Sequence, residues 1–179
     1  IDLRTSLINS RFTSNVFEKS FPENCAPGVN CSFDPQVNVA TRHRQPGSAF
    51  KPFVYATGFK NGLTPETVVF DLKTEFNPSC NPDGTPQPDG DEKKCYQPGN
   101  FDEIFRGPIT LRESLAQSLN VPSVKTLYLA GLKNSLNTAK DFGITTLNDP
   151  DRYGLTLVLG CGEVSLLELT SAYSVFAND

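Results

Sequence analysis

In RQPGSAFKPF, residues 44–53, Ser48 stands three positions ahead of Lys51. A serine hydroxyl is a poor nucleophile until a base takes its proton. The common base is a histidine oriented by a carboxylate. The single histidine, His43, lies just outside the turn before Ser48 and is badly placed for a triad, so it reads as a structural or surface residue. Lysine can serve instead if it is neutral. Three positions apart on a helix, Ser48 and Lys51 share a face. Bringing a lysine near neutrality takes a fall of about 3 pKa units, or about 4 kcal/mol. Desolvation or a neighbouring cation can supply it, and Ala49, Phe50 and Phe53 offer an apolar setting. Free N–H groups at a helix start can also hold an oxyanion beside Ser48. An isolated Ser-x-x-Lys is nevertheless expected about once by chance in a chain of this composition. Taken alone, Ser48 is better explained as the polar start of a helix.

A second constellation is Ser118-Leu119-Asn120, at a corner between two helical stretches. Such a corner can aim a hydroxyl and a carboxamide into one cleft. The plainer alternative is a helix C-cap, a place that suits asparagine.

The elements that must position these groups are legible in outline. Pro46-Gly47 breaks the chain before Ser48, and SAFKPFVYATGFKNG is a helix-compatible run with Pro52 near its first turn and Asn61-Gly62 at its end. Thr110-Leu-Arg-Glu113 is a capping box that opens the helix leading to Ser118. A break is expected at Asn120, with Pro122 opening the next helix and Gly131 closing it. NSLNTAKDFGI reads as a short helix ended by Gly143, and Ser165-Leu-Leu-Glu168 caps a final one. QVNVA, from Gln36, and VVFDL, 68–72, read as short strands. Residues 73–100, rich in Pro, Gly, Asp and Asn, form a loop. Its acids Asp83, Asp89, Asp91 and Glu92 do not match a calcium-loop spacing.

Hydrophobic content of 37% and charged content of 20% indicate a folded body rather than a disordered chain. A net charge of -4 argues against nucleic acid as a partner. No apolar run is long enough to span a bilayer. The chain opens on Ile1 without a signal peptide, so an upstream portion, including any membrane anchor, is expected to be missing. Cys25 and Cys31 flank a short Pro/Gly loop, and Cys80 and Cys95 bracket CNPDGTPQPDGDEKKC. Both intervals suit local disulfides, which implies an oxidising, extracytoplasmic location. Cys161 is left over and reads as a small buried thiol. Zinc-type spacing is absent, so no metal and no cofactor is expected.

Together and in this order, RQPGSAFKPFVYA, FRGPITLRESLAQSLNVPSVK and LVLGCGEVSLLELTSAYSVFAN resemble the transpeptidase domain of penicillin-binding proteins, closest to the class A, bifunctional kind. The Ser-x-x-K and Ser/Asn motifs belong to that superfamily's set. The resemblance implies an α+β, beta-lactamase/transpeptidase-like fold, of which this chain holds mostly the helical part with a few short strands. It implies an unassigned segment over 1–35 and a partial transpeptidase domain over 36–179. It implies that Ser48 attacks the D-Ala-D-Ala end of a peptidoglycan stem peptide and that Lys51 takes its proton. Ser118 relays a proton to the leaving D-alanine, and Asn120 binds the acyl donor's amide. Beta-lactams trap the same serine. The implied partners are peptidoglycan stem peptides and beta-lactam antibiotics, at the extracytoplasmic face of a bacterial membrane.

The family's third motif, K-T-G or K-S-G, is not among these 179 residues. Lys125-Thr126-Leu127 lacks the glycine, follows Asn120 too closely and falls mid-helix, so it is no substitute. The chain by itself is therefore expected to label poorly with a fluorescent penicillin. Other readings stay open: a D,D-carboxypeptidase or serine beta-lactamase within the same fold, a non-catalytic peptidoglycan-binding or beta-lactam-sensing module, and a helical domain with a coincidental Ser/Lys pair.

Overall fold

A helix that is apolar on every side must be buried on every side. Helix α1, Lys51–Lys60, comes near that condition in the computed structural model, which describes residues 24–26, 29–30, 38–88 and 95–178; only Pro52, Ala56, Phe59 and Lys60 are open to any extent. Phe53, Val54 and Tyr55 are fully buried, and Lys51 is as buried as they are, at 1% exposed. A 3-10 turn, Gly47–Phe50, leads into α1, and Pro52 occupies the first α-helical turn where no N–H is needed. The helix expected to start at Ser48 thus begins as a 3-10 turn and becomes α-helical only at Lys51. Asn61 ends it, with Gly62 in the left-handed region and Asn61 Nδ2 donating to Ala130 O at 2.9 Å.

Two compact units divide the chain, Ile1–Arg42 and His43–Asp179. In the first, the described part of QVNVA is a turn and not a strand. Asn38 O accepts from Thr41 N and Arg42 N, and Asn38 Oδ1 from Ala40 N. An asparagine side chain that bonds its own backbone two residues on competes with extended pairing. Gln36 and Val37 lie outside the described residues.

In the second unit α1 packs against α3, Asn120–Ala130, and α4, Leu132–Asp141. Its main core gathers Phe50, Phe53, Val54, Val124, Leu127 and Leu157 around that helix. Fully burying each such side chain contributes about 1.5–3 kcal/mol. A smaller core, Tyr55, Val69, Ile109, Leu111 and Leu119, lies beneath a two-stranded sheet. There β2, Val68–Asp71, runs antiparallel to β3, Gly107–Thr110, with Val68 opposite Thr110 and Asp71 opposite Gly107. Val69 and Asp71 point inward while Val68 and Phe70 stay exposed, the alternation of a one-sided sheet.

β3 runs directly into α2, Leu111–Ala116, through the expected capping box at Thr110 and Glu113. The last helix, α6, Leu166–Val175, opens with the second box at Ser165 and Glu168. Before it come α5, Pro150–Tyr153, and a 3-10 turn, Gly154–Leu159. A two-residue ladder joins β1, His43–Arg44, to β4, Val164–Ser165. It ties the chain just before Ser48 to the chain just after the LGCGE turn. His43 sits there on the surface.

The Cys80–Cys95 disulfide staples the expected loop, whose residues 73–88 and 95–100 are described and hold neither helix nor named strand. Asp83 closes a turn by accepting from Thr85 N and Oγ1, whereas Asp89, Asp91 and Glu92 lie outside the described residues. Cys31 does too, so the expected Cys25–Cys31 pairing is not described. Cys161 is half-buried rather than buried, between the buried Gly160 and Gly162; Thr156 Oγ1 lies 3.0 Å from its sulfur.

Candidate active site

Lys51 Nζ is the point where the two sequence motifs meet. It donates to Ser118 O at 2.5 Å, to Asn120 Oδ1 at 2.9 Å and to Ser118 Oγ at 3.2 Å. An ammonium has three hydrogens to give, and all three acceptors come from the α2–α3 corner. Burial lowers the Lys51 amine from 10.5 to about 8, so roughly one lysine in ten is neutral at pH 7. Ser48, by contrast, is exposed, and its hydroxyl has no hydrogen-bond partner among the described residues. Positions three apart in a 3-10 turn eclipse one another. Ser48 and Lys51 therefore share an edge of the chain, one at the surface and one beneath it.

The corner owes its shape to Ser118. This residue adopts φ +54°, a left-handed conformation that side chains other than glycine and asparagine seldom take. It ends α2 by donating Ser118 N to Leu115 O, while Leu119 N donates to Ser114 O. That pair of bonds closes a helix around a left-handed residue. Leu119 then points into the smaller core, and α3 begins at Asn120. The break expected at Asn120 is thus two residues earlier, and Asn120 is the first helical residue, with Pro122 two positions further in.

Four further residues position the site, and local spacing did not reveal them. Asn100 Oδ1 accepts from Asn120 N and Val121 N, at 2.9 and 3.2 Å. Tyr55 OH bridges Ser114 Oγ on α2 and Ser123 Oγ on α3, at 2.7 and 3.0 Å, so α1 clamps both arms of the corner. Gly160, at φ +77°, lies so close to Gly47 that a Cβ there would stand 2.2 Å from Gly47 O and 2.3 Å from Gly47 N. The LGCGE turn thereby seats the backbone just ahead of Ser48. Tyr173 on α6 adds a bond from its hydroxyl to Ala49 O at 2.7 Å. Gly160 and Tyr173 fall inside the third sequence block, and that block is their only local trace.

Lys125 and Thr126 lie in the middle of α3, as expected. Lys125 Nζ donates to Phe70 O, and Thr126 Oγ1 bonds back to Pro122 O.

The family model "Penicillin binding protein transpeptidase domain" matches residues 8–179. Penicillin-binding protein 1A of Neisseria meningitidis is 37% identical over 135 residues, covering 75% of this chain and 15% of the relative. Its Pseudomonas aeruginosa counterpart is 35% identical over the same shares. Among solved structures, penicillin-binding protein 1A from Haemophilus influenzae superposes with a TM-score of 0.64 at 32% identity, over 79% of this chain and 19% of that one. PonA1 from Mycobacterium tuberculosis does so with a TM-score of 0.62 at 20% identity, over 80% and 36%. The helical body with its few strands is thus part of a beta-lactamase-like transpeptidase fold. The chain spans about 15% of the length of these curated relatives. With the family match running through nearly all of it, this chain belongs to the penicillin-binding protein transpeptidase family.

Proposed function

We propose that these residues form the nucleophile-bearing part of a serine D,D-transpeptidase that crosslinks peptidoglycan stem peptides and is acylated by beta-lactams. One observation carries the reading. The buried amine of Lys51 lies one turn from Ser48 and is held by the Ser118–Asn120 corner, with its basicity reduced to about 8. A lysine so placed can be neutral often enough to act as a general base.

In the proposed reaction Ser48 Oγ attacks the carbonyl of the D-Ala-D-Ala peptide bond while Lys51 Nζ takes the hydroxyl proton. The Ser48 N–H helps to hold the oxyanion. Ser118 Oγ, 3.2 Å from Lys51 Nζ, passes the proton to the leaving D-alanine nitrogen, and an ester to Ser48 remains. An amine of a second stem peptide attacks that ester, which frees Ser48 and forms the crosslink. Asn120 receives the acyl donor's amide. The Cys80–Cys95 disulfide supports an oxidising, extracytoplasmic setting. Among the described residues no helix is long and apolar enough to cross a membrane.

The test is labelling with a fluorescent penicillin in a longer chain that contains these residues. Ser48→Ala should abolish the label and Lys51→Ala should reduce it at least about a hundredfold, while Lys60→Ala, an exposed lysine at the far end of α1, should leave it unchanged. Undiminished labelling of Ser48→Ala would refute the assignment.

A further inference from the structure

Helix α3 starts without a cap of its own. Its N-cap residue is Leu119, whose side chain cannot accept a hydrogen bond, yet the first N–H groups of a helix need acceptors. Asn100, twenty residues upstream and 5% exposed, supplies one: its Oδ1 takes both Asn120 N and Val121 N. The neighbouring Gly99 O accepts Asn120 Nδ2 at 3.0 Å. The same segment therefore fixes the backbone and the side chain of Asn120. It also fixes which way the Asn120 amide faces, with Oδ1 toward Lys51 Nζ and Nδ2 toward Gly99 O. One Nδ2 hydrogen is left for a ligand.

The Asn100 amide is oriented in turn. Its Nδ2 donates to both oxygens of Asp71, each at 2.9 Å, and to Ile104 O at 2.9 Å. Asp71 is fully buried at the inner end of β2. Its oxygens can only accept, so Asn100 must turn Nδ2 toward it and Oδ1 toward α3. Arg106 N donates to Asp71 Oδ2 at 3.0 Å, and the Arg106 guanidinium stands 4.0 Å from that oxygen. A buried carboxylate that is paired and hydrogen-bonded in this way is costly to disturb. Its donor and acceptor pattern passes through Asn100 to the one residue assigned to the acyl donor's amide.

We propose that Asn100, oriented by Asp71, is a positioning residue for acyl-donor specificity: by holding Asn120 N and Val121 N it sets the backbone from which the Asn120 carboxamide, aimed by Gly99 O and Lys51 Nζ, reads the donor's side-chain amide. The proposal rests on the transpeptidase reading above. It concerns how strongly the site prefers a donor that carries that amide.

The experiment compares second-order acylation by benzylpenicillin, which carries a side-chain amide, and by 6-aminopenicillanic acid, which lacks one, in a longer chain that contains these residues. Asn100→Ala should lower the benzylpenicillin rate about tenfold and the 6-aminopenicillanic acid rate about threefold or less, so that the preference between them shrinks. Asn100→Asp sets a carboxylate against Asp71 and should shrink it at least as much. Asp71→Asn combined with Asn100→Asp restores the donor–acceptor match between these two side chains, though not to Ile104 O, and should recover part of the preference. If Asn100→Ala does not fold, Asp71→Asn alone and the double exchange decide by the same ratio. Equal slowing of both compounds, or a double exchange no better than Asn100→Asp, would overturn the positioning role while Ser48-dependent labelling of the wild type stands. Absence of Ser48-dependent labelling in the wild type would instead overturn the transpeptidase reading, and this proposal with it.

Discussion

The two sides of Lys51 are built by different means. On the Ser48 side the chain is seated by shape. Gly160 lies against Gly47 with no room for a single methyl, and β1 pairs with β4 just upstream. On the other side the Ser118–Asn120 corner is seated by direction, through Asn100, Asp71, Gly99 and Tyr55, each matching a donor to an acceptor. Close packing fixes where a backbone lies but leaves a side chain on it uncommitted. The Ser48 hydroxyl is accordingly exposed and without a partner among the described residues. Hydrogen bonds fix which face of a polar group is presented, as they do for Lys51 and Asn120. A reacting hydroxyl has to be available, and the groups that handle its proton have to be aimed. The shape-built half should thus be intolerant of volume, and the bond-built half intolerant of changed donor or acceptor character.

The strongest way to break the shape-built half is Gly160→Ala. The new methyl meets Gly47 backbone atoms at 2.2–2.5 Å, and alanine is also disfavoured at φ +77°. Overpacking and the left-handed penalty together should cost about 4 kcal/mol and lower the melting temperature by roughly 15 °C, read by calorimetry. Gly62→Ala is the contrast. It shares a positive φ, +95°, but meets nothing within 4 Å, so it should lose only about 1–2 kcal/mol. If the two variants melt together, close approach of the two glycines is not what seats the turn.

A next test lies on the buried amine between the halves. Folded Lys51 loses its proton near pH 8, and unfolded Lys51 near 10.5. Between those values unfolding takes up a proton, so this group makes stability rise with pH across that window and adds no slope below it. Relative to Lys51→Met, the wild type should gain about 2–3 kcal/mol from pH 8 to 10.5 in urea unfolding. A difference that stays flat across the window would mean that the amine is not desolvated in solution.

Tyr55→Phe loosens the bond-built half alone. It keeps the ring in the smaller core and removes the hydroxyl between Ser114 and Ser123. Ser123 still has Leu119 O as an acceptor, so one buried hydroxyl loses its match rather than two. The loss should be about 1–2 kcal/mol in denaturant unfolding. An unchanged midpoint would show that the clamp across the corner adds nothing to stability.

How much of this was legible in the sequence follows from how far each interaction reaches. The capping boxes at Thr110 and Ser165 are bonds between residues three apart, and both formed where the spacing put them. VVFDL formed a strand because its alternation matched a one-sided sheet. QVNVA has the same alternation, but Asn38 turned its own backbone instead. Lys51 and the Ser118–Asn120 corner were named from motifs, and the structure brings them together through bonds that span 67 and 69 positions. Asn100 sat in a Pro-Gly-Asn run that reads locally as loop. Its cap on α3 is made twenty residues away, and its orientation by Asp71 twenty-nine. Gly160 looks like any turn glycine until Gly47 is seen beside it.

The smallest effect expected is also opposite in sign. Ser118 holds φ +54° at the end of α2, a conformation that costs a residue with a Cβ about 1–2 kcal/mol. Glycine takes it freely but gains more freedom on unfolding, about 0.5–1 kcal/mol. The 3.2 Å contact from Lys51 to Ser118 Oγ is long, and the shorter bond to Ser118 O survives the change. Ser118→Gly should therefore stabilise the fold by roughly 0.5 kcal/mol, seen as a small rise in the denaturation midpoint. The same variant lacks the hydroxyl proposed to carry the proton, so penicillin acylation should fall about a hundredfold. Greater stability with lost acylation would mean that the corner keeps a strained serine for its chemistry. Lost stability with unchanged acylation would mean that Ser118 serves only to end the helix.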